Sequence, residues 1–224
     1  GFGQVQDFLS EPGDFLNVGF GRVQRQLEKD LPRPDLGGLQ DPVPVVTEDM
    51  RLEGIHHITG ITDDIERSDE FYQAALGLEL VKKTYNQDDA KTLHWFWADY
   101  DGHTVGEHSA LPLFDWPGSI HFARPGAGQT HHFALAVPDE ATQLEWREKL
   151  VRAGLRVSPV MDRVYFKSIY THDPDGHIVE LATAGPGFLV DEDVSELGQN
   201  LKLPPGLEPR RAEIESVLHP ITAP

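Results

Sequence analysis

Two adjacent-histidine pairs and one late glutamate are the residues of this sequence whose types could hold a metal ion. His56 and His57 stand in "EGIHHITGI", and His131 and His132 stand in "QTHHFALAV". Both stretches have the pattern of an apolar strand, and Glu180 lies between two apolar residues of "HIVELAT". A histidine in a strand is usually a partly buried, hydrogen-bonded ring. Recurrence of the pair together with a carboxylate favours metal binding instead, because imidazole and carboxylate are a common ligand set for divalent metals.

Composition restricts this chemistry further. The 224 residues are 39% hydrophobic and 25% charged, which is typical of a folded globular protein. The sequence has no cysteine, so a metal must be held by His, Asp or Glu. A net charge of -18 predicts that the protein binds neither nucleic acid nor an anionic membrane surface. With no long apolar run and no signal-peptide pattern, we expect a cytoplasmic protein.

The elements that position the histidines occur twice. The segments "GIHHITGITDDIERSDEFYQAALGLELV" and "QTHHFALAVPDEATQLEWREKLVRAGLRV" share the order His-His, strand, acidic turn, amphipathic helix, glycine, strand. Asp64 and Asp139 are predicted helix N-caps. Gly77 and Gly154 are predicted to follow the last helical turn, where a left-handed backbone conformation is common.

Candidate strands after each helix complete a βαβββ unit. They are "LELVKKTY", "TLHWFWADY" and "VGEHSALPLF" in the first copy and "LRVSPVM", "VYFKSIYTH" and "HIVELAT" in the second. One such unit cannot bury its apolar sheet face alone. The predicted fold is therefore α+β, with two βαβββ modules that pair into one curved, open mixed β-barrel around a metal site. The predicted organisation is an N-terminal arm (1–49), a domain (50–188) with modules at about 52–118 and 128–186, and a C-terminal tail (189–224).

Strand alternation separates the two histidines of each pair. His57 and Thr59 share one face, and His132 shares its face with Ala134, because side chains alternate along a strand. Alternation turns His56 and His131 to the opposite face, so these two histidines are expected to reach a metal only through strand twist or an indirect path.

Several longer motifs resemble the vicinal oxygen chelate superfamily, which includes glyoxalase I, bleomycin-binding proteins and extradiol dioxygenases. Within it the sequence is most similar to the hydroquinone ring-cleaving dioxygenases, through "GIHHITGI", "GLELVKKTYNQDD", "THHFALAV", "PVMDRVYFKSIY", "LATAGPGF" and "LKLPPGLEPRRAEIE". The resemblance implies a metal held by the second histidine of each pair and by the last-strand glutamate, here His57, His132 and Glu180. It implies surrounding functional residues at His56, Thr59, His131, Arg163 and Tyr170.

The resemblance also implies a reaction. The expected cofactor is Fe(II), with Mn, Ni or Zn as alternatives, and the expected substrates are a hydroquinone-like aromatic diol and O2. Tyr170 and Arg163 would hydrogen-bond the substrate oxygen, while His131 or His56 would move protons. Proteins of that group usually carry four βαβββ units, and this chain has counterparts of the first and last only. The surface that the two middle units would cover needs another partner, so a homodimer is expected.

Two other functions on the same scaffold stay open. A glyoxalase-like isomerase or thiol transferase takes a fourth ligand from the last strand of the first module, where Leu111 or Pro112 stands here. Glu107 is close enough in sequence to be considered for that position. A metal-free, bleomycin-type binding protein would not need the predicted ligands.

The remaining aromatic residues and histidines are interpreted as core, pocket-wall, turn or surface residues. Trp95, Phe96 and Trp97 are predicted to form core and pocket wall. The other histidines are predicted to be turn or surface residues: His94, His103, His108, His121, His172 and His177.

Overall fold

The computed structural model describes residues 52–119 and 126–218. These two segments belong to two compact units of the chain. The predicted arm at 1–49 and the last residues of the predicted tail lie outside the described residues.

The first unit is a βαβββ module. Its elements are β1 (Gly60–Thr62), α1 (Ile65–Glu70), a π-helical turn (Phe71–Ala75), β2 (Glu79–Tyr85), β3 (Leu93–Ala98) and β4 (Leu111–Asp115). The strands form one mixed sheet in the order β1-β4-β3-β2. The strand that opens the module pairs in parallel with the strand that closes it.

The second unit repeats this arrangement. Its elements are β5 (His132–Val137), α2 (Glu140–Arg152), β6 (Met161–Asp162), β7 (Lys167–His172) and β8 (Ile178–Thr183), followed by short 3-10 turns and α3 (Arg211–Val217). The strand order is β5-β8-β7-β6, again with the first and last strands parallel. The predicted α+β fold with two βαβββ modules is confirmed, whereas pairing of the modules into one open barrel stays a prediction.

The helix boundaries follow the predicted caps. The Asp64 carboxylate accepts hydrogen bonds from the backbone N–H groups of Glu66 and Arg67, and the Asp139 carboxylate accepts one from Thr142. These contacts satisfy N–H groups that lack partners within the helix. Gly77 and Gly154 have φ values of 71° and 85°, in the left-handed region that glycine adopts without strain.

Three predicted strands are shorter than their sequence patterns. β1 begins at Gly60, and His57 joins the sheet only through an isolated bridge to Ala110. β6 has two residues, since Pro159 lacks the N–H that a ladder hydrogen bond needs. The stretch before β4 turns instead of extending, because His108 has a φ of 57°.

The helices α1 and α2 each cover the sheet face opposite the predicted ligands of their own unit. In the first unit Trp97 and Tyr72 are fully buried, and the Trp97 indole donates a hydrogen bond to Asp69 of α1 at 2.7 Å. In the second unit the amide of buried Gln143 donates to the carbonyls of Lys167 and Leu181, at 2.8 Å each. The Gln143 side chain thus ties α2 to both β7 and β8.

No helix in the described part of the chain is long and apolar enough to cross a membrane.

Truncating the buried leucine of α2 should destabilise the second unit. Leu150 is fully buried, so Leu150→Ala should lower the free energy of unfolding by about 2 to 5 kcal/mol through lost burial and a residual cavity. The control is Leu144→Ala on the same helix, where the side chain is 51% exposed and the expected loss is under about 0.5 kcal/mol. Urea denaturation measures both losses, and equal losses would contradict the packing described for α2.

The turn between β7 and β8 holds a buried acid beside a histidine. Asp173 is 5% exposed, and its carboxylate accepts from the backbone N–H groups of Asp175 and His177 and contacts His177 Nδ1 at 2.8 Å. Burial acts to lower the pKa of His177, but the hydrogen bond and charge of Asp173, with the charge of Asp175, raise it overall above its ordinary value of 6.5.

This raised pKa predicts how stability depends on pH. The contribution of protonated His177 is fully present below its ordinary pKa and disappears as the pH rises through the raised value. His177→Gln should therefore lower Tm more at about pH 6 than at about pH 9. Asp173→Asn removes the charge that raises the pKa, so the same pH dependence should be weakened in that variant. A Tm difference independent of pH would show that the ion pair is not stabilising.

Candidate functional site

Strand register brings the polar residues of the second unit to one sheet face. Glu180 of β8 pairs with Ala134 of β5 on one side and with Tyr170 of β7 on the other. Since paired residues share a face, and residues two apart along a strand do so as well, His132 and Ser168 lie on that face too.

Glu180 is a buried carboxylate with three polar neighbours. It is 2% exposed, its Oε2 lies 2.8 Å from His132 Nε2, and its Oε1 accepts from the hydroxyl of Tyr170 at 3.1 Å. The hydroxyl of fully buried Ser168 donates to the same Oε1. A buried charge is unfavourable unless it is hydrogen-bonded or paired, and the contacts of the Glu180 carboxylate meet this requirement.

Both histidine pairs have the same internal geometry. The Nδ1 atoms of His56 and His57 are 2.8 Å apart, and so are those of His131 and His132. The ring centroids are 5.1 Å apart in each pair, with the rings nearly perpendicular. When the second histidine carries its proton on Nδ1, the first histidine accepts a hydrogen bond from that N–H group. The Nε2 lone pair of the second histidine is then available to a cation. An indirect role of His56 and His131 at a metal stays a prediction, and the structure shows only that each contacts the second histidine of its pair.

Arg163 and Tyr170 form one hydrogen-bonded unit with Glu180. The Arg163 guanidinium donates to the Tyr170 hydroxyl through Nε at 3.2 Å and a terminal nitrogen at 3.0 Å. The phenol in turn donates to Glu180, so its single proton is engaged. Arg163 also lies 5.4 Å from the centre of the Tyr170 ring.

The first unit differs at the position that corresponds to Glu180. His57 pairs with Ala110, and Gly60 pairs with Leu113, so the same register sets Thr59 opposite Pro112. Thr59 is exposed and follows His57 by two residues, as Ala134 follows His132. Pro112 therefore occupies the position that a carboxylate occupies in the second unit. Glu107 lies in an exposed turn ahead of β4.

The prediction that His94 is a turn or surface residue is wrong. His94 lies in β3, is 8% exposed, and packs between Phe96 and Phe114 in tilted ring contacts at centroid distances of 4.3 and 4.2 Å. Burial lowers its pKa, and the nearby charge of His57 lowers it further. Of the aromatic run, Trp97 is core as predicted, while Trp95 lies under the Lys83 ammonium at 3.8 Å.

The predicted ligands are divided between the two units. His132 and Glu180 lie together in the second unit, and His57 belongs to the first. Within residues 52–119 and 126–218, no group of three or more His, Asp or Glu side chains lies close enough together to hold a metal ion. The set His57, His132 and Glu180 therefore stays a prediction.

Ser168 is a buried neighbour of Glu180 that sequence reasoning misses. Its contact with Glu180 depends on the β7–β8 register, which no local pattern specifies. The one signal present in the sequence is its spacing, two residues before Tyr170 on the same strand face.

Comparisons with known proteins agree on the scaffold. The family model described as Glyoxalase/Bleomycin resistance protein/Dioxygenase superfamily matches residues 54–181. A domain of the same description from Frankia sp. EAN1pec superposes with a TM-score of 0.50 at 17% identity, covering 59% of this chain and 98% of that one. This structural likeness supports the fold alone.

Two curated relatives carry the names of ring-cleaving enzymes. MhqA of Bacillus subtilis (strain 168), whose name assigns ring-cleaving dioxygenase activity provisionally, is 49% identical over 98 residues, or 44% of this chain and 31% of MhqA. The chlorohydroquinone/hydroquinone 1,2-dioxygenase of Sphingobium indicum is 30% identical over 145 residues, or 64% of this chain and 41% of that enzyme. The chain thus spans less than half the length of these two relatives.

The network around Glu180 predicts a stability loss on removal of one hydroxyl. Tyr170→Phe leaves a buried carboxylate with one donor fewer and Arg163 without its acceptor, so the free energy of unfolding should fall by about 1 to 3 kcal/mol. The control is Tyr165→Phe, whose half-buried hydroxyl donates to exposed Asp191 at 3.3 Å and should cost under about 0.5 kcal/mol. Denaturation of metal-free protein measures both changes, and a Tyr170→Phe loss no larger than the control would contradict the network.

Proposed function

We propose, because the chain belongs to the Glyoxalase/Bleomycin resistance protein/Dioxygenase superfamily, that it is an Fe(II)-dependent dioxygenase that opens the ring of a hydroquinone-like aromatic diol. The names of its curated relatives support a dioxygenase-like role. The specific substrate and the iron are part of the proposal.

The observation that carries the proposal is the contact between His132 and Glu180. His132 Nε2 and Glu180 Oε2 lie 2.8 Å apart, so an imidazole nitrogen and a carboxylate oxygen are close enough to hold one cation together. The pair also has its outer contacts in place, since His131 holds Nδ1 of the imidazole and two hydroxyls hold the carboxylate. Such outer contacts orient metal ligands and tune their basicity.

His57 is the proposed third ligand. Its support is the repeated pair geometry, in which His56 contacts His57 Nδ1 as His131 contacts His132 Nδ1. Pro112 at the position equivalent to Glu180 supports a set of three protein ligands over the four expected of a glyoxalase-like isomerase. Ferrous iron bound by two imidazoles and one carboxylate would supply open coordination positions for a diol oxygen and O2.

The remaining residues would bind the diol and manage its protons. Arg163 has five N–H donors, of which two reach Tyr170, so others are available to an anionic diol oxygen. Tyr170 would orient Glu180 through its hydroxyl. Arg163, which donates to the same hydroxyl, would connect this network to the substrate oxygen. His131 and His56 are exposed and would accept the proton that the diol loses on binding. Thr59, two residues beyond His57, would offer a hydroxyl on the same side of its strand.

The proposal includes the predicted setting of the protein. We expect a homodimer in the cytoplasm that binds a small aromatic diol and O2 and does not bind nucleic acid or membranes. The high negative charge supports the last two expectations. Sedimentation of the purified chain measures the oligomeric state, and a monomer at working concentration would contradict the dimer.

Oxygen uptake by the intact chain tests the function. The chain is reconstituted anaerobically with Fe(II), then given O2 and either hydroquinone, a substituted hydroquinone or catechol. We expect uptake matched mole for mole by ring-opened product. His57→Ala should reduce uptake to the rate without protein, because it removes a proposed ligand. The matched control is His103→Ala, at an exposed turn histidine of the same unit, and it should retain the original rate.

Other results would overturn the proposal. Tightly bound metal without uptake on any diol would favour an isomerase or thiol transferase, and Glu107→Gln would then be the next variant. Uptake supported by Mn(II), Ni(II) or Zn(II) but not Fe(II) would remove the assignment of iron. Failure to bind any of these metals would favour a metal-free binding protein.

A further inference from the structure

We propose that Ser168 is a positioning residue that restricts Glu180 to binding the metal through Oε2 alone. This inference rests on the metal site of the proposed function and adds a residue and a binding mode to it. It follows from the contacts of the two oxygen atoms of Glu180, which differ.

Oε1 of Glu180 is fully engaged by protein donors. The Ser168 hydroxyl and the Tyr170 hydroxyl both donate to it, and both residues are buried. A carboxylate oxygen has about two lone-pair sites, so two hydroxyl donors occupy Oε1. Oε2 instead faces His132 Nε2 at 2.8 Å. Binding through both oxygens would require breaking a buried hydrogen bond, which is costly because no water replaces the lost partner.

The strand register explains how Ser168 reaches its neighbour. Ser168 pairs with Ala182, and Tyr170 pairs with Glu180. Ser168 is therefore the diagonal neighbour of Glu180 on the same face.

The internal repeat supports a link between the hydroxyls and the carboxylate. In the first unit His94 pairs with Phe114, and Phe96 pairs with Pro112. By register His94 corresponds to Ser168 and Phe96 corresponds to Tyr170. The module without a carboxylate at this position thus lacks both hydroxyls, and the module with the carboxylate has both.

Metal titration of hydroxyl-deleting variants tests this role. The intact chain is titrated anaerobically with Co(II) alone and with Fe(II) alone, without diol or O2, and the Co(II) absorption spectrum is recorded. Ser168→Ala should weaken affinity by about 10-fold to 100-fold, the range typical of lost outer contacts. It should also change the intensity and position of the Co(II) bands, because Glu180 is free to bind through both oxygens.

A second buried serine is the matched control. Ser158 is 2% exposed, and its hydroxyl accepts from Tyr170 N and donates to Pro159 O. Ser158→Ala removes a buried hydroxyl of the same unit without touching Glu180, so the Co(II) spectrum and affinity should stay as in the original chain. Ser168→Thr keeps the hydroxyl. Ser168→Val has the shape of the threonine side chain with a methyl group in place of the hydroxyl, so only Ser168→Thr should preserve the Co(II) spectrum.

The outcomes separate this inference from the function. An unchanged spectrum and affinity in Ser168→Ala, or an equal change in Ser158→Ala, would overturn the role of Ser168. If Thr and Val both prevent folding, the two alanine variants decide. Equal metal binding by Glu180→Gln and the original chain would overturn both the site and this inference. Normal metal binding without oxygen uptake would overturn only the dioxygenase function, since these titrations contain neither diol nor O2.

Discussion

A buried carboxylate is the constraint on which the second unit depends. Removing the charge of Glu180 from water is unfavourable, and only donors fixed in the correct geometry compensate for it. The hydroxyl donors come from β7, and His132 of β5 faces the other carboxylate oxygen from the opposite side of β8. Gln143 of α2 holds the carbonyls of β7 and β8 from the opposite face, so the helix helps to maintain the register that the carboxylate requires.

The two modules share one strand order and register but carry different surfaces. The histidine pair has the same geometry in both units, with Nδ1 contacts of 2.8 Å. Beside it, the second unit carries a charged, hydrogen-bonded network and the first carries a cluster of tilted aromatic rings around His94. Neither surface supplies the proposed ligand set alone. The repeat provides the imidazole twice, whereas the carboxylate occurs in the second unit and the aromatic cluster in the first.

Local patterns allowed much of this to be predicted from sequence. Caps at Asp64 and Asp139 are specified by residues a few positions away, and the βαβββ order follows from strand and helix periods. The contact of His131 with His132, the role of Ser168 and the burial of His94 depend on twist and register, which separate strands determine jointly. Pro159 and the turn at His108 shortened strands whose apolar pattern was correct.

The position of Arg163 supports the proposal that Glu180 is a metal ligand and not half of a structural ion pair. A buried glutamate that served stability alone would be expected to pair directly with the nearby guanidinium, in the bidentate geometry that the two groups favour. Instead, within the described residues, Arg163 donates to the Tyr170 hydroxyl, and the phenol stands between the two charges. Oε2 consequently faces a histidine whose side chain is 38% exposed, and not a fixed protein cation. A carboxylate oriented by hydroxyls on one oxygen and by an accessible imidazole on the other has the arrangement that a bound divalent cation would complete.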